Sequence, residues 1–105
     1  MAKKSMFANE VVGELAQAFR LLSDETRLQI VFHLAQQEQN VGSLCEILDL
    51  AQPTVSHHLG LLRMGRLIIN RRNGKQVIYS LNVDMLNRLK AQLATCVPSL
   101  TKAKK

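Results

Sequence analysis

The residues best suited to chemistry sit in one short string, Gln52-Pro53-Thr54-Val55-Ser56-His57-His58, followed closely by Gly60 and Arg63. Amides, hydroxyls and an imidazole offer donors and acceptors to the edges of nucleic-acid bases. Glutamine can pair with adenine at two points, and serine or threonine can serve any base. Catalysis is a poorer use for these side chains. Ser56 and His57 are chain neighbours, whereas a nucleophile needs its base across a hydrogen bond, with a third group behind it. A helix turns about 100° per residue, so His57 and His58 point apart and do not form the i, i+4 pair that grips a metal ion. Cys45 and Cys96 are too few for a disulfide framework and are expected as thiols in a reducing compartment.

A second group of functional side chains, Arg71, Arg72 and Lys75, brackets Asn73-Gly74. Three cations at a hairpin tip suit phosphate contact or the adjacent minor groove. They would also discourage edge-to-edge strand pairing. Their surroundings favour the first use. From Leu50 to Val83 there is no Asp or Glu, yet this stretch carries Arg63, Arg66, Arg71, Arg72 and Lys75. Seven of the eight acids lie at or before Asp49 and the eighth is Asp84, so the net charge of +6 is segregated. Such a block is the electrostatic footprint of a partner with a phosphate backbone. A protein-protein interaction module is the alternative reading. It gives no reason to exclude every carboxylate.

Positioning these groups requires a particular order of elements. Val12, Leu15, Phe19 and Leu22 recur along one side of a first helix. Ser23-Asp24-Glu25 is a start signal, with a capping hydroxyl and early acids, for a second helix through Leu28–Ala35 that is apolar on most sides and so central. Gln36-Gln37-Glu38-Gln39 reads as exposed helix end and loop, and Asn40 as the cap of a short third helix with Val41, Leu44 and Leu48 inward. After a turn, Pro53 opens a fourth helix reaching about Met64. Its core stripe is Val55, Leu59 and Leu62, which sets His57, Gly60 and Met64 on the opposite face with Thr54 and Ser56 beside them. His58 leans to the core side and reads as a structural hydrogen-bonding residue.

Beyond Gly65 the period becomes that of strands, and Asn73-Gly74 predicts a type I′ hairpin turn. Asn82 or Asp84 opens a last helix with Leu86, Leu89, Leu93 and Cys96 along one side, ended by Pro98. The expected fold is mainly α with a β-hairpin wing: a winged helix-turn-helix of order α-α-α-α-β-β-α. One domain over residues 9–97 is expected, with flexible basic ends at 1–8 and 98–105. Leu86, Leu89 and Leu93, with Val12, Leu15 and Phe19, supply more apolar stripe than so small a core covers, which implies a homodimer through the first and last helices. No apolar run approaches the roughly 20 residues of a membrane span. Met1-Ala2-Lys3-Lys4-Ser5 lacks the apolar segment of a secretory signal, so the cytoplasm is the expected compartment.

In three stretches the chain resembles the ArsR/SmtB family of winged-helix repressors: Leu21 to Leu28, Val41-Gly42-Ser43-Leu44, and Gln52 to Arg63. The wing from Arg71 to Leu81 continues the likeness, which covers about Val12 to Cys96. The resemblance implies a homodimer that binds double-stranded operator DNA and is released by an inducer. Several departures bear on sensing. The paired-cysteine box of arsenical and cadmium/lead sensors corresponds to Glu38-Gln39-Asn40-Val41-Gly42-Ser43-Leu44, which has neither cysteine. The last-helix zinc ligands correspond to Val83, Met85, Cys96 and Ser99. Phe32 stands where sulfide-responsive members have their first cysteine, and Ala51 where a serine commonly precedes Gln52. The expectation is a regulator without cofactor or metal, its inducer left open. A thiol sensor using Cys45 and Cys96 is the alternative.

Overall fold

The computed structural model describes residues 5–101. Its order is α1 (Asn9–Leu22), α2 (Glu25–Gln36), β1 (Gln39–Asn40), α3 (Val41–Leu48), α4 (Gln52–Met64), β2 (Ile68–Asn73), β3 (Gln76–Leu81), α5 (Val83–Cys96) and a 3-10 turn at Pro98–Thr101. The five helices and the hairpin are those expected. The 3-10 turn lies inside the stretch expected as a tail, while residues 1–4 and 102–105 fall outside the described residues.

Local signals account for most element ends. Asp24 Oδ2 accepts from the Arg27 N–H at 3.0 Å, so the cap of α2 is this carboxylate. The Ser23 hydroxyl, the expected cap, instead donates back to the Arg20 carbonyl. Asn40 Oδ1 caps α3 through the Ser43 N–H at 2.8 Å, and Asn82 Oδ1 caps α5 through the Met85 N–H. The turn between α3 and α4 begins at Asp49, in the left-handed region (φ 56°), with the Leu50 N–H closing on the Cys45 carbonyl. Aspartate is one of the few non-glycine residues that tolerate this conformation.

Two features of the sheet differ from expectation. Gln39-Asn40 is not loop but a two-residue strand, antiparallel to β3, which gives a three-stranded sheet of order β1-β3-β2. So short a strand has no periodicity to read; pairing with β3 creates it. The hairpin turn also sits one residue later than Asn73-Gly74 implied. Asn73 pairs with Gln76, leaving Gly74-Lys75 as the loop. Of the two loop residues only Gly74 has positive φ, at 65°, so the type I′ form, which needs two such residues, is not adopted. In this register Ile68, Asn70 and Arg72 share a face with Leu81, Tyr79 and Val77, while Arg71 shares the other face with Ile78.

The core gathers Leu15, Ala18 and Leu21 from α1, Ile30, Val31 and Leu34 from α2, Leu44 from α3, and Val55, Leu59 and Leu62 from α4, closed by Leu67, Ile68 and Leu89. The second helix is less enclosed than its composition implied, since Phe32 is exposed. At the α1–α5 seam, Glu14 Oε1 accepts from Gln92 Nε2 at 2.8 Å and from Arg88 Nε at 3.0 Å. These bonds, the one from Gln92 first, hold the Glu14 carboxyl below its usual range.

Two glycines on α4 and its exit differ in what surrounds them. A methyl group on Gly65 would fall 2.1 Å from Leu21 Cδ1, whereas one on Gly60 would meet nothing within 4 Å. Gly65→Ala is therefore expected to lower stability by roughly 1–3 kcal/mol, because Leu21 is buried and must repack. Gly60→Ala should be neutral or gain about 0.5–1 kcal/mol through helix propensity. Urea midpoints at unchanged slope measure both; equal destabilisation by the two changes would contradict the packing difference.

Candidate nucleic-acid interface

Helix α4 is oriented by what it buries. Val55, Leu59 and Leu62 are at most 1% exposed, so the remaining faces turn outward. Gln52, Thr54, Ser56, His57 and Gly60 are all exposed, as the spacing predicted. Ala51 supplies no side-chain cap, and Pro53 has no N–H to satisfy. The Ala51 carbonyl accepts from the Thr54 and Val55 N–H groups, and the positive end of the helix dipole stays open at this terminus. Hydrogen-bonding side chains and the positive end of the dipole thus share one end of one helix.

Arg63 is also exposed but belongs to a different neighbourhood. With Arg66 it lines a groove beside Ile68, Ile69, Asn70 and Asn82, at the foot of the wing rather than among the short polar side chains. Arg66 follows the helix with φ 65°, its carbonyl held by Asn82 Nδ2 at 2.9 Å.

The wing separates its three cations. Arg71 is engaged, its guanidinium paired with the Glu38 carboxylate before β1. Arg72 and Lys75 are exposed with no ion-pair partner among the described residues. The register explains this division. Consecutive strand residues face opposite ways, so Arg71 shares a face with Ile78 and Asn40, two residues from Glu38, and Arg72 points to the other face.

Behind α4 lies a polar cluster that sequence spacing could not reveal. Arg27 Nε donates to the Leu21 carbonyl at 2.7 Å, and Arg27 Nη1 lies 3.1 Å from His58 Nδ1. Arginine only donates, so His58 must present its Nδ1 lone pair and is the neutral tautomer with hydrogen on Nε2. Asp24 Oδ2 is 3.9 Å from the same nitrogen. Burial pushes the His58 pKa below its ordinary value, against the opposing pull of Asp24, while Arg27 and His57 add to the depression. Asp24 is itself held low, chiefly by the Arg27 N–H. Arg27 and His58 are 31 positions apart, which is why no periodicity joined them. The one available signal was the inward lean of His58.

The residues expected at a dimer seam divide in two. Leu15 and Leu89 are each only 9% exposed and belong to the chain's own core, while Leu86 and Leu93 pack partly against it. Val12 and Phe19 remain 49% and 54% exposed. They border a shallow apolar groove with Phe7, Leu15, Ala16 and Cys96. The first and last helices pack on one another within the chain, so they satisfy part of the stripe that the sequence left unassigned. Both cysteines are free: Cys45 packs against the core from α3, and Cys96 lines the groove. Among the described residues no three His, Cys, Asp or Glu side chains gather where a metal ion could be held, and no helix is long and apolar enough to cross a membrane.

Comparison with known proteins agrees with this geometry. The profile of the arsR family of bacterial regulatory proteins matches residues 24–69, from the cap of α2 into β2. The HTH-type transcriptional regulator KmtR of Mycobacterium tuberculosis is 39% identical over 75 residues, 71% of this chain, and the match spans 58% of that regulator's length. The transcriptional repressor BigR of Xylella fastidiosa superposes with a TM-score of 0.68 at 32% identity, covering 99% of this chain and all of that one. The homodimeric winged helix-turn-helix DNA-binding domain of a Mycobacterium bovis protein superposes with a TM-score of 0.70 at 26% identity, covering 100% of this chain and 97% of that one. With its profile match lying over the helix-turn-helix and its likeness to BigR extending over the whole length, this chain belongs to the ArsR family of bacterial regulatory proteins.

Proposed function

We propose that the protein is a homodimeric repressor that reads an inverted-repeat operator in double-stranded DNA. The observation that carries this reading is the outward face of α4: Gln52, Thr54, Ser56 and His57 at an uncapped helix start, within a stretch that contains no carboxylate. Residues at the start of a recognition helix reach base edges in the major groove. Gly60, open on its outer side, lets the helix approach the duplex closely. Arg72 and Lys75 at the wing, with Arg63 at its foot, hold phosphates. Arg71 contributes less to that hold, because leaving Glu38 costs it an existing partner.

Shape and surface both support a dimer. The radius of gyration, 16.3 Å, exceeds the roughly 13 Å of a compact domain of about 100 residues, and the thinnest extent is 24 Å. Val12 and Phe19 form an uncovered apolar face on α1, and the M. bovis relative is a homodimer. Two copies joined there present two copies of α4, which matches a two-fold symmetric operator. The sensing step is read as independent of metal ions, since the positions of the family's metal ligands carry Gly42, Val83 and Met85 among others.

Selection of bound duplexes from a random pool tests the whole reading. An inverted repeat should emerge; recovery of no preferred sequence would overturn it. With that duplex in hand, His57→Ala or Ser56→Ala should cost roughly 1–3 kcal/mol on the operator and much less on random DNA. Arg72→Ala or Lys75→Ala should weaken both duplexes alike and flatten the slope of log affinity against log salt by about one unit for each phosphate that a subunit no longer neutralises. Arg71→Ala should do so less. If His57→Ala weakens random DNA as much as operator, base reading by α4 is wrong.

The dimer is tested at Phe19 rather than Leu89, whose replacement would disrupt the chain's own core. Phe19→Glu should give a folded monomer by light scattering at micromolar concentration, because it places an unpaired charge in an apolar seam. A dimer of unchanged affinity would move the interface elsewhere. Zinc, cadmium or arsenite at stoichiometric levels should change operator affinity by less than about threefold, below the typical range of allosteric coupling. Release of DNA by any of them refutes metal independence.

A further inference from the structure

Helix α4 is tied to the end of α1 at two points. At its exit, Gly65 packs under the Leu21 side chain. At its middle, His58 meets Arg27, whose Nε is anchored on the Leu21 carbonyl at 2.7 Å. Leu21 is therefore a common anchor, and α1 is also the helix that carries the exposed Val12 and Phe19. The Arg27–His58 pair is sheltered, with 15% of the His58 side chain exposed. It joins groups that can exchange partners. Neutral His58 accepts from Arg27. A protonated ring would turn an N–H toward the guanidinium, placing donor against donor and like charge against like charge. The Asp24 carboxylate, 3.9 Å from the same nitrogen, is the partner a charged ring would take.

We propose that Arg27 is a positioning residue for the base-reading helix, holding α4 through neutral His58, and that protonation of His58 shifts the ring from Arg27 to Asp24 and releases operator DNA. The proposal rests on the DNA-binding reading above. The charged or titratable groups acting on His58 are Asp24 and Arg27 from α2 and His57 from α4 itself. Asp24 favours the cation, the other two disfavour it, and burial outweighs Asp24. The folded value thus lies below the ordinary 6.5. Protons bind more tightly once the ring has left Arg27 than while it accepts from the guanidinium. Operator affinity is accordingly full above about pH 6.5 and falls as pH drops through the folded value. Stability carries the same sign, so folding must be followed alongside.

The experiment measures fluorescence anisotropy of the full-length protein on the selected operator and on a random duplex, at fixed ionic strength, at about pH 7.5 and about pH 5.5. Circular dichroism establishes that each variant is folded at both values. The random duplex corrects for any sequence-independent change in attraction between the two pH values. Wild type should lose operator preference about tenfold on acidification, within the range of ordinary couplings. His58→Asn, whose amide oxygen takes the place of Nδ1 and accepts from Arg27 at either pH, should lose little of its preference. Arg27→Gln should show weakened preference already at the higher pH and a flattened profile. If wild type and His58→Asn share one pH profile, the partner exchange is wrong. If Arg27→Gln is folded and keeps full operator preference at the higher pH, the positioning role is wrong. Absence of binding to any duplex at the higher pH would instead overturn the DNA-binding reading, and this proposal with it.

Discussion

Helix α4 is held by three side chains, Val55, Leu59 and Leu62, sunk among Ile30, Leu44, Leu67 and Ile68. Burial of such side chains contributes about 1.5–3 kcal/mol each, and rotating the helix would expose all three together. That constraint leaves the polar residues of the same helix no inward option, so Gln52, Thr54, Ser56 and His57 face solvent as a set. The open N-terminus follows from the same placement. Ala51 and Pro53 offer neither a side-chain cap nor a proline N–H, and the helix is kept instead by its core face.

The seating of α4 also defines what its neighbours must do. Leu67 and Ile68, buried at the start of β2, fix where the wing begins. The β2–β3 register then decides which cation reaches which side. Arg71 is drawn to Glu38 next to β1, while Arg72 and Lys75 are left to the solvent. One residue of register changes the chemistry of the wing, because strand side chains alternate between faces. On the opposite side, α1 and α5 close the core with Leu15 and Leu89, and Glu14 bridges them through Arg88 and Gln92. Val12 and Phe19 are then the apolar residues of α1 that the chain leaves most open.

The Arg27 cluster shows how little polar material lies behind the reading face, and how constrained it is. Each group there has a competing demand. Asp24 caps α2 and stands near His58; Arg27 serves the Leu21 carbonyl and His58 together. Sheltered polar groups of this kind are stable only when every demand is met, since an unpaired donor forfeits its hydration without compensation. The cluster therefore links the Asp24 cap of α2, the end of α1 and the middle of α4 through a single arginine.

Much of this architecture was legible in the chain itself. Apolar spacing marked the helices and the buried side of α4, Asn40 and Asn82 marked their caps, and the run of residues without a carboxylate marked the basic face. These are local or compositional properties, carried by residues a turn or less apart. The Gly74-Lys75 loop and the strand Gln39-Asn40 were decided by strand pairing, which the local pattern does not specify. The division of the apolar stripes was decided by tertiary structure too. Helical periodicity shows that Leu15, Leu89, Val12 and Phe19 all need cover, but only the docking of α1 on α5 determines which pair is covered within the chain. Pairings between residues far apart in sequence, such as Arg27 with His58, exist only once the helices have packed, and a linear pattern does not encode them.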